Sequence, residues 1–264
     1  MEVNRFLVES ALLTHGLASI SCQELADSWP REYENIVWVD KGNIHIAGMC
    51  EFLSFRERAD QLCRIDRDHL STALKEGVSG ALTASGTMAV CRLMGLPLAV
   101  TCGIGGISDI RAERICPDLP ALRDLPVTLL ATSFKDMMDI PASIGWLREN
   151  GVRVLGVGVD CCTGYLFNSA NAPLAGVLEP MCLPAPSGNL LLLNPTPAKE
   201  RLPDLWMLDE GIAAGKQAEA AGKYYHPAAN AAFDRLTGGI SSQMQLHSII
   251  ANAKLGDKLV ASQG

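Results

Sequence analysis

The sequence predicts an α/β fold, one sheet with helices on both faces. Two observations carry it. Short apolar runs recur along the chain and alternate with helical patterns. Most of these runs close on Gly, Pro or Asn, as buried strands do. At 264 residues, 48% hydrophobic and 19% charged, the chain can bury a large core and reads as one domain over residues 1–264.

The elements follow in order. Arg5 to Val8 is a strand ending next to Glu9. Ser21 followed by Glu24 is a capping box that opens a helix. Val37 to Val39 and Ile44 to Ala47 flank Lys41-Gly42-Asn43, a hairpin signal. Asp66 caps the helix DRDHLSTALKEG, which stops on Gly77. Leu98 to Thr101, Val127 to Ala131, Val152 to Val157 and Leu190 to Leu193 are buried strands. Asp139 and Pro141 start a helix after the second of these. Leu205 to Ala221 and Ser241 to Ala261 are helices. Ala170 to Gly188 has four prolines and no sustained period, which suggests a surface excursion or lid.

Composition narrows the function classes. The net charge is -7 and no basic stripe is present, which argues against nucleic acid as a partner. No apolar run is long enough to span a membrane. The start, MEVNRFLVES, lacks the pattern of a signal peptide. Nine cysteines, none in a CxxC pair, read as reduced, and the cytoplasm is the expected compartment. Adjacent Cys161 and Cys162 point to opposite faces of a strand and make poor joint metal ligands.

Ligands of open α/β sheets sit beyond the carboxyl ends of the strands, and three groups fall there. Glu9 ends an apolar run, where a carboxylate is costly unless paired or used. Thr101 and then Gly103, Gly105 and Gly106 follow the strand at 98 to 101. They form either a phosphate cradle or an ordinary tight turn. GIGG is neither GxGxxG nor a Walker A sequence, so a dinucleotide is not expected. Lys135 follows the strand at 127 to 131 and is either a nucleophilic amine or a solvated loop lysine. Asp118 either starts a helix or ligates a divalent metal such as Mg or Mn. His15 is given no role beyond capping a turn.

Five segments together resemble the pseudouridine-5'-phosphate glycosidase family, also called indigoidine synthase A-like. LVESALLTHG stands where the family reads ALESTIISHG, and VTCGIGGISDI where it reads ATGGIGGVHRG. FKDMMDIP, then a helix and GVRVLGVG, matches AKSILDIP and GVPVIGY. LNPTP at 193–197 and RLTGG at 235–239 match ANPIP and ELTGG. The resemblance implies a three-layer α/β/α sandwich, usually a homotrimer. It implies reversible cleavage of the C–C glycosidic bond of pseudouridine 5'-phosphate to uracil and ribose 5-phosphate. Lys135 would form an imine with the opened sugar, and Glu9 would move protons. Arg64, Thr101, Gly103, Gly105 and Gly106 would hold the sugar phosphate. A manganese ion, or another divalent metal such as magnesium, would sit near the phosphate at Asp118.

The chain departs from the family at three places. Arg64 stands where the family has a second lysine; arginine clamps phosphate but does not readily release a proton. The family's HRG becomes Ser108-Asp109-Ile110, and a late-helix asparagine becomes Gln245. Three readings stay open: a family enzyme, a diverged enzyme joining ribose 5-phosphate to another base, or a non-catalytic sugar-phosphate-binding or scaffold protein.

Overall fold

The computed structural model describes residues 5–108, 114–179, 182–183 and 188–262. The chain begins β1 (Phe6–Glu9), α1 (Cys22–Ser28), β2 (Ile36–Asp40), β3 (Asn43–Ala47) and α2 (Met49–Arg56). Next come β4 (Cys63–Ile65), α3 (Arg67–Glu76), β5 (Gly80–Leu82), α4 (Ala84–Met94), β6 (Leu98–Val100) and β7 (Gly103–Ile104). Then follow α5 (Asp118–Asp124), β8 (Thr128–Ala131), β9 (Ser133–Phe134), α6 (Ile140–Glu149) and β10 (Arg153–Gly156). Four short strands, β11 (Cys161–Cys162), β12 (Ala172–Pro173), β13 (Gly176–Val177) and β14 (Leu190–Leu193), precede α7 (Trp206–Ala220), α8 (Tyr225–Thr237) and α9 (Ile240–Ala261).

The central sheet runs β13-β10-β14-β8-β6-β1-β2-β5-β4, with β3 paired to β2. Its pairings are parallel except β2 with β3 and β2 with β5. Alternation along each strand feeds two cores. Phe6, Val8, Val100, Leu130 and Leu192 pack with Phe52 of α2, Phe233 of α8 and Ile249 of α9. Leu7, Ala99, Leu129 and Leu191 pack with Leu70, Met88, Leu122 and Leu147 of α3 to α6. The result is the three-layer α/β/α sandwich. Each fully buried large side chain in it is worth roughly 1.5–3 kcal/mol.

Local chemistry explains most boundaries. The Ser21–Glu24 capping box is present, and Asp66 caps α3, which ends on left-handed Gly77. The hairpin turn is Lys41-Gly42, with φ of 49° and 73°, as a two-residue turn requires. Within the stretch 170–188, β12 and β13 lie in the described part and β13 forms a sheet edge, while 180–181 and 184–187 lie outside the described residues.

Helix α4 has no counterpart in the sequence reading. Its first turn, Ala84-Ser85-Gly86-Thr87, lacks apolar spacing and is helix-poor. Tertiary packing overrides propensity here: a Cβ on Gly86 would lie 2.3 Å from the Ile65 carbonyl oxygen. Helix α8 was also unread. Among the described residues no helix is long and apolar enough to cross a membrane.

Candidate active site

Strand ends from two directions converge on one cavity. β1, β6 and β8 are parallel neighbours. Their carboxyl ends lead to Glu9, to β7 and to β9. β7 and β9 pair as a small ledge beyond the sheet, Gly103 opposite Ser133 and Ile104 opposite Phe134. β5 runs against β2 and β4 runs alongside β5, so their carboxyl ends approach from the other side. The Leu82 amide donates to Ser10 Oγ at 2.9 Å and locks the end of β5 to the residue after Glu9. A π-helix, Leu12–Gly16, follows and puts Leu12 and Gly16 on the cavity wall.

Glu9 is a buried acid facing this cavity. It is 6% exposed. Burial raises its pKa from 4.5 to about 7. The Thr101 hydroxyl, Lys135 and Arg64 oppose that rise, and Asp118 adds to it. The Thr101 hydroxyl is fully buried and close to the carboxylate, but it is not aligned as a hydrogen bond. A carboxyl titrating near neutrality can both give and take a proton.

Lys135 lies on the same wall, just past β9. Its amide donates to the Ile104 carbonyl at 3.0 Å, which fixes the start of its stem on the ledge. Asp136 also lines the inner part of the cavity and organises the loop that carries Tyr165 and Leu166. It accepts from the amides of Tyr165 and Leu166, both at 2.8 Å, from Phe167 at 3.3 Å and from Ser169 Oγ at 2.5 Å. Burial still holds its pKa above the ordinary value. Gly164, with φ of 117°, makes this wrap possible; a Cβ there would lie 2.2 Å from the Phe167 carbonyl oxygen. The wrap sets the Tyr165 hydroxyl 2.8 Å from Cys102 Sγ. Burial pushes the Cys102 thiol up to about 12 and Tyr165 well above its ordinary value, so both stay neutral.

The cavity has two chambers. The inner one is lined by Glu9, Leu12, Gly103, Lys135, Tyr165 and Gln245, among others. The outer one, about 440 Å³, extends past Asp66, His69, Lys223 and Tyr224. Arg64, Thr83, Asp118, Lys135 and His226 line both. Among the described residues Arg64 and Lys135 are in no salt bridge. His15 lies outside the cavity lining. Its Nε2 faces the carbonyls of Ala59 and Leu62, each at 3.2 Å, and burial together with Arg64 holds its pKa down.

The glycines are required by close packing, and none of Gly103, Gly105 and Gly106 has positive φ. A Cβ on Gly103 would meet the Tyr165 ring at 2.8 Å and Lys135 Cγ at 3.2 Å. On Gly105 it would meet Cys116 Sγ at 2.2 Å, and on Gly106 Ser143 Oγ at 2.4 Å. The Gly105 amide donates to Asp118 Oδ2 at 3.0 Å, so it is occupied within the protein. Only Gly103 of the three lines the cavity.

Asp118 opens α5 and is 5% exposed. Its Oδ1 accepts from the Ser85 amide at 3.0 Å while Oδ2 holds Gly105. It thereby ties α4, α5 and the β7 turn together. Among the described residues no group of three or more His, Cys, Asp or Glu is placed to hold a metal ion. A divalent ion at Asp118 would therefore be held largely by water, with this carboxylate as its anchor in the protein. Asp109 and Ile110, where the family's HRG was expected to change, lie outside the described residues.

Three side chains of the site escaped sequence reasoning. Asn252 is fully buried. It donates to the Thr101 carbonyl at 2.8 Å and to Thr132 Oγ1 at 2.9 Å, and accepts from Asn194 at 3.0 Å, tying α9 to the ends of three strands. Asp136 carries a signal in hindsight, an acid directly after the candidate lysine. His226 sat in a helix whose amphipathic pattern was not recognised.

A family described as indigoidine synthase A like protein matches residues 7–262 of this chain. Pseudouridine-5'-phosphate glycosidase of Paracoccus denitrificans (strain Pd 1222) is 28% identical over 97% of this chain and 91% of its own. The same-named protein of Mesorhizobium japonicum is 28% identical over 96% and 90%. Among solved structures, an indigoidine synthase A-like protein from Thermotoga maritima superposes with a TM-score of 0.79 at 20% identity, covering 98% of this chain and 94% of that one. The prealnumycin C-glycosynthase AlnA, in complex with ribulose 5-phosphate, gives 0.76 at 21% identity, covering 98% and 92%. These two likenesses bear on the fold.

Proposed function

The chain belongs to the indigoidine synthase A-like family, and on that premise we propose that it breaks or forms the C–C glycosidic bond of pseudouridine 5'-phosphate through a lysine imine. The observation that carries this reading is one cavity wall bearing both Lys135 and a glutamate whose pKa lies near neutrality. A C–C bond offers no leaving oxygen for an acid to protonate, so the reaction needs an electron sink, and an imine supplies one.

In cleavage, Lys135 Nζ bonds to C1′ of the ribose. The C1′–O4′ bond breaks, and the ring oxygen leaves as a hydroxyl. The nitrogen lone pair then forms C1′=N as the C1′–base bond breaks. The base carbon takes that electron pair together with a proton from Glu9. Water adds to the imine, returns a proton to Glu9 and releases ribose 5-phosphate and the free lysine. Arg64, permanently charged and in no salt bridge among the described residues, holds the phosphate.

The reading carries with it a cytoplasmic enzyme that works as a trimer, which light scattering of the purified protein checks. A second reading, favoured by the size of the outer chamber, joins ribose 5-phosphate to an acceptor other than uracil. Turnover separates them: wild type should release uracil from pseudouridine 5'-phosphate, and Lys135→Ala should not. Failure with that substrate, and product formation from ribose 5-phosphate with another aromatic acceptor, would establish the second reading.

A further inference from the structure

Five residues line both chambers, and four of them have work already. Lys135 is the nucleophile, Arg64 meets the phosphate, Asp118 holds two amides, and Thr83 caps α4. The fifth is His226. We infer that His226 is the second acid–base group of this reaction and exchanges the proton of the sugar ring oxygen. The inference rests on the imine reading above.

The proton inventory asks for such a group. Cleavage moves protons at two separate atoms. One goes to the base carbon, which Glu9 serves. The other goes to O4′ when the ring opens, while Lys135 Nζ must lose one. The family resemblance places a second lysine where this chain has Arg64, and a guanidinium does not release a proton at working pH. His226 lies where the gap arises. It is 8% exposed, in the first turn of α8, at the junction of the chambers. The Tyr225 ring holds it edge-on, centroids 5.5 Å apart at 84°. Imidazole is the side chain whose ordinary titration falls nearest neutrality.

The charged and titratable groups of the surrounding cavity come from every neighbouring element. They are Glu9 from β1, Arg64 from β4, Asp66 and His69 beside and on α3, and Asp118 from α5. Lys135 and Asp136 follow β9, Tyr165 follows β11, Cys63 is on β4, Cys116 precedes α5, Glu219 is on α7, Lys223 and Tyr224 belong to the α7–α8 turn, and Tyr225 opens α8. The step balances within this set. The imidazolium gives its proton to O4′ as the C1′–O4′ pair moves onto oxygen and the Nζ–C1′ bond forms. The neutral imidazole then takes the proton that Nζ loses. No oxidant or co-reactant enters.

The test is the pH dependence of kcat for His226→Gln, with borohydride trapping of ribose 5-phosphate on Lys135 as the control for folding and for the imine. Free ribose 5-phosphate opens unaided, so trapping should persist in the variant. The expected result is a kcat lower by about 10²–10⁴-fold, a KM for the nucleotide little changed, and one ionisation missing from the profile. Adding Arg64→Lys to the variant should restore part of the lost kcat, because an amine able to carry a proton returns. An unchanged kcat, a loss with both ionisations still present, or a double variant as slow as the single one would overturn the proposal. Absence of trapping in wild type would instead refute the imine reading itself. If the glutamine variant does not fold, His226→Asn takes its place in the same measurements.

Discussion

Replacing Glu9 by Gln should make the protein more stable at alkaline pH while stopping turnover. Glu9 sits at the end of β1, 6% exposed, and its pKa is raised by burial from 4.5 to about 7. The sign follows from linkage. A carboxyl whose folded pKa lies above its unfolded one favours folding fully below pH 4.5, and that contribution disappears as pH rises through about 7. A shift of this size corresponds to roughly 3 kcal/mol, of which about 2.5 kcal/mol falls between pH 5 and pH 8.5. Urea unfolding of the ligand-free protein at those two pH values measures it. Groups other than Glu9 contribute equally to wild type and variant and cancel in the difference. The stability gain of Glu9→Gln over wild type should therefore grow by about 2–3 kcal/mol from pH 5 to pH 8.5. Parallel pH dependences for the two proteins would mean that Glu9 titrates as an ordinary surface carboxyl. Its role as a proton carrier at neutral pH would then fall.

Arg64→Ala should weaken sugar-phosphate binding by about 1.5–3 kcal/mol, the range for a hydrogen bond to a charged group, with little change in thermal stability, since the side chain has no acidic partner among the described residues; calorimetry with ribose 5-phosphate reads it. Gly105→Ala should destabilise by about 1–3 kcal/mol, because its Cβ would fall 2.2 Å from Cys116 Sγ; a denaturation midpoint equal to wild type would contradict this. Asp118→Ala should leave two buried amides, those of Ser85 and Gly105, without their acceptor and cost on the order of 2–4 kcal/mol. Titration of wild type and of the same variant with Mn²⁺ alone tests the carboxylate as a metal ligand: the affinity should drop in Asp118→Ala, and an unchanged affinity would remove Asp118 from that role.

The parallel strands and long helices were legible because their signals are local. Leu190 to Leu193 is a strand with the bounds read from sequence, and Asp139 with Pro141 marked the start of α6. Glu9 and Lys135 were legible because each ends or follows such a run, and parallel strands bring their carboxyl ends to one edge. What was not legible depends on long-range contact. α4 begins with small polar residues and is a helix because Gly86 must pass close to Ile65. The glycine turn after β6 could be read as a phosphate cradle, since nothing in GIGG says that Asp118, thirteen residues on, takes the Gly105 amide. Asn252 clamps strand ends 151 and 120 residues away in sequence, and no local pattern announces such a clamp. His226 lines the cavity from α8, and no local pattern in the sequence announces that position.

The central claim is a covalent bond between Lys135 and the sugar. Wild-type protein incubated with ribose 5-phosphate and reduced with borohydride should gain the mass of one reduced pentose phosphate, and peptide mapping should place it on Lys135. Glu9→Gln should be labelled equally, and Lys135→Ala should not be labelled at all. A wild-type protein that binds ribose 5-phosphate but gains no mass, or gains it equally in Lys135→Ala, would contradict the account.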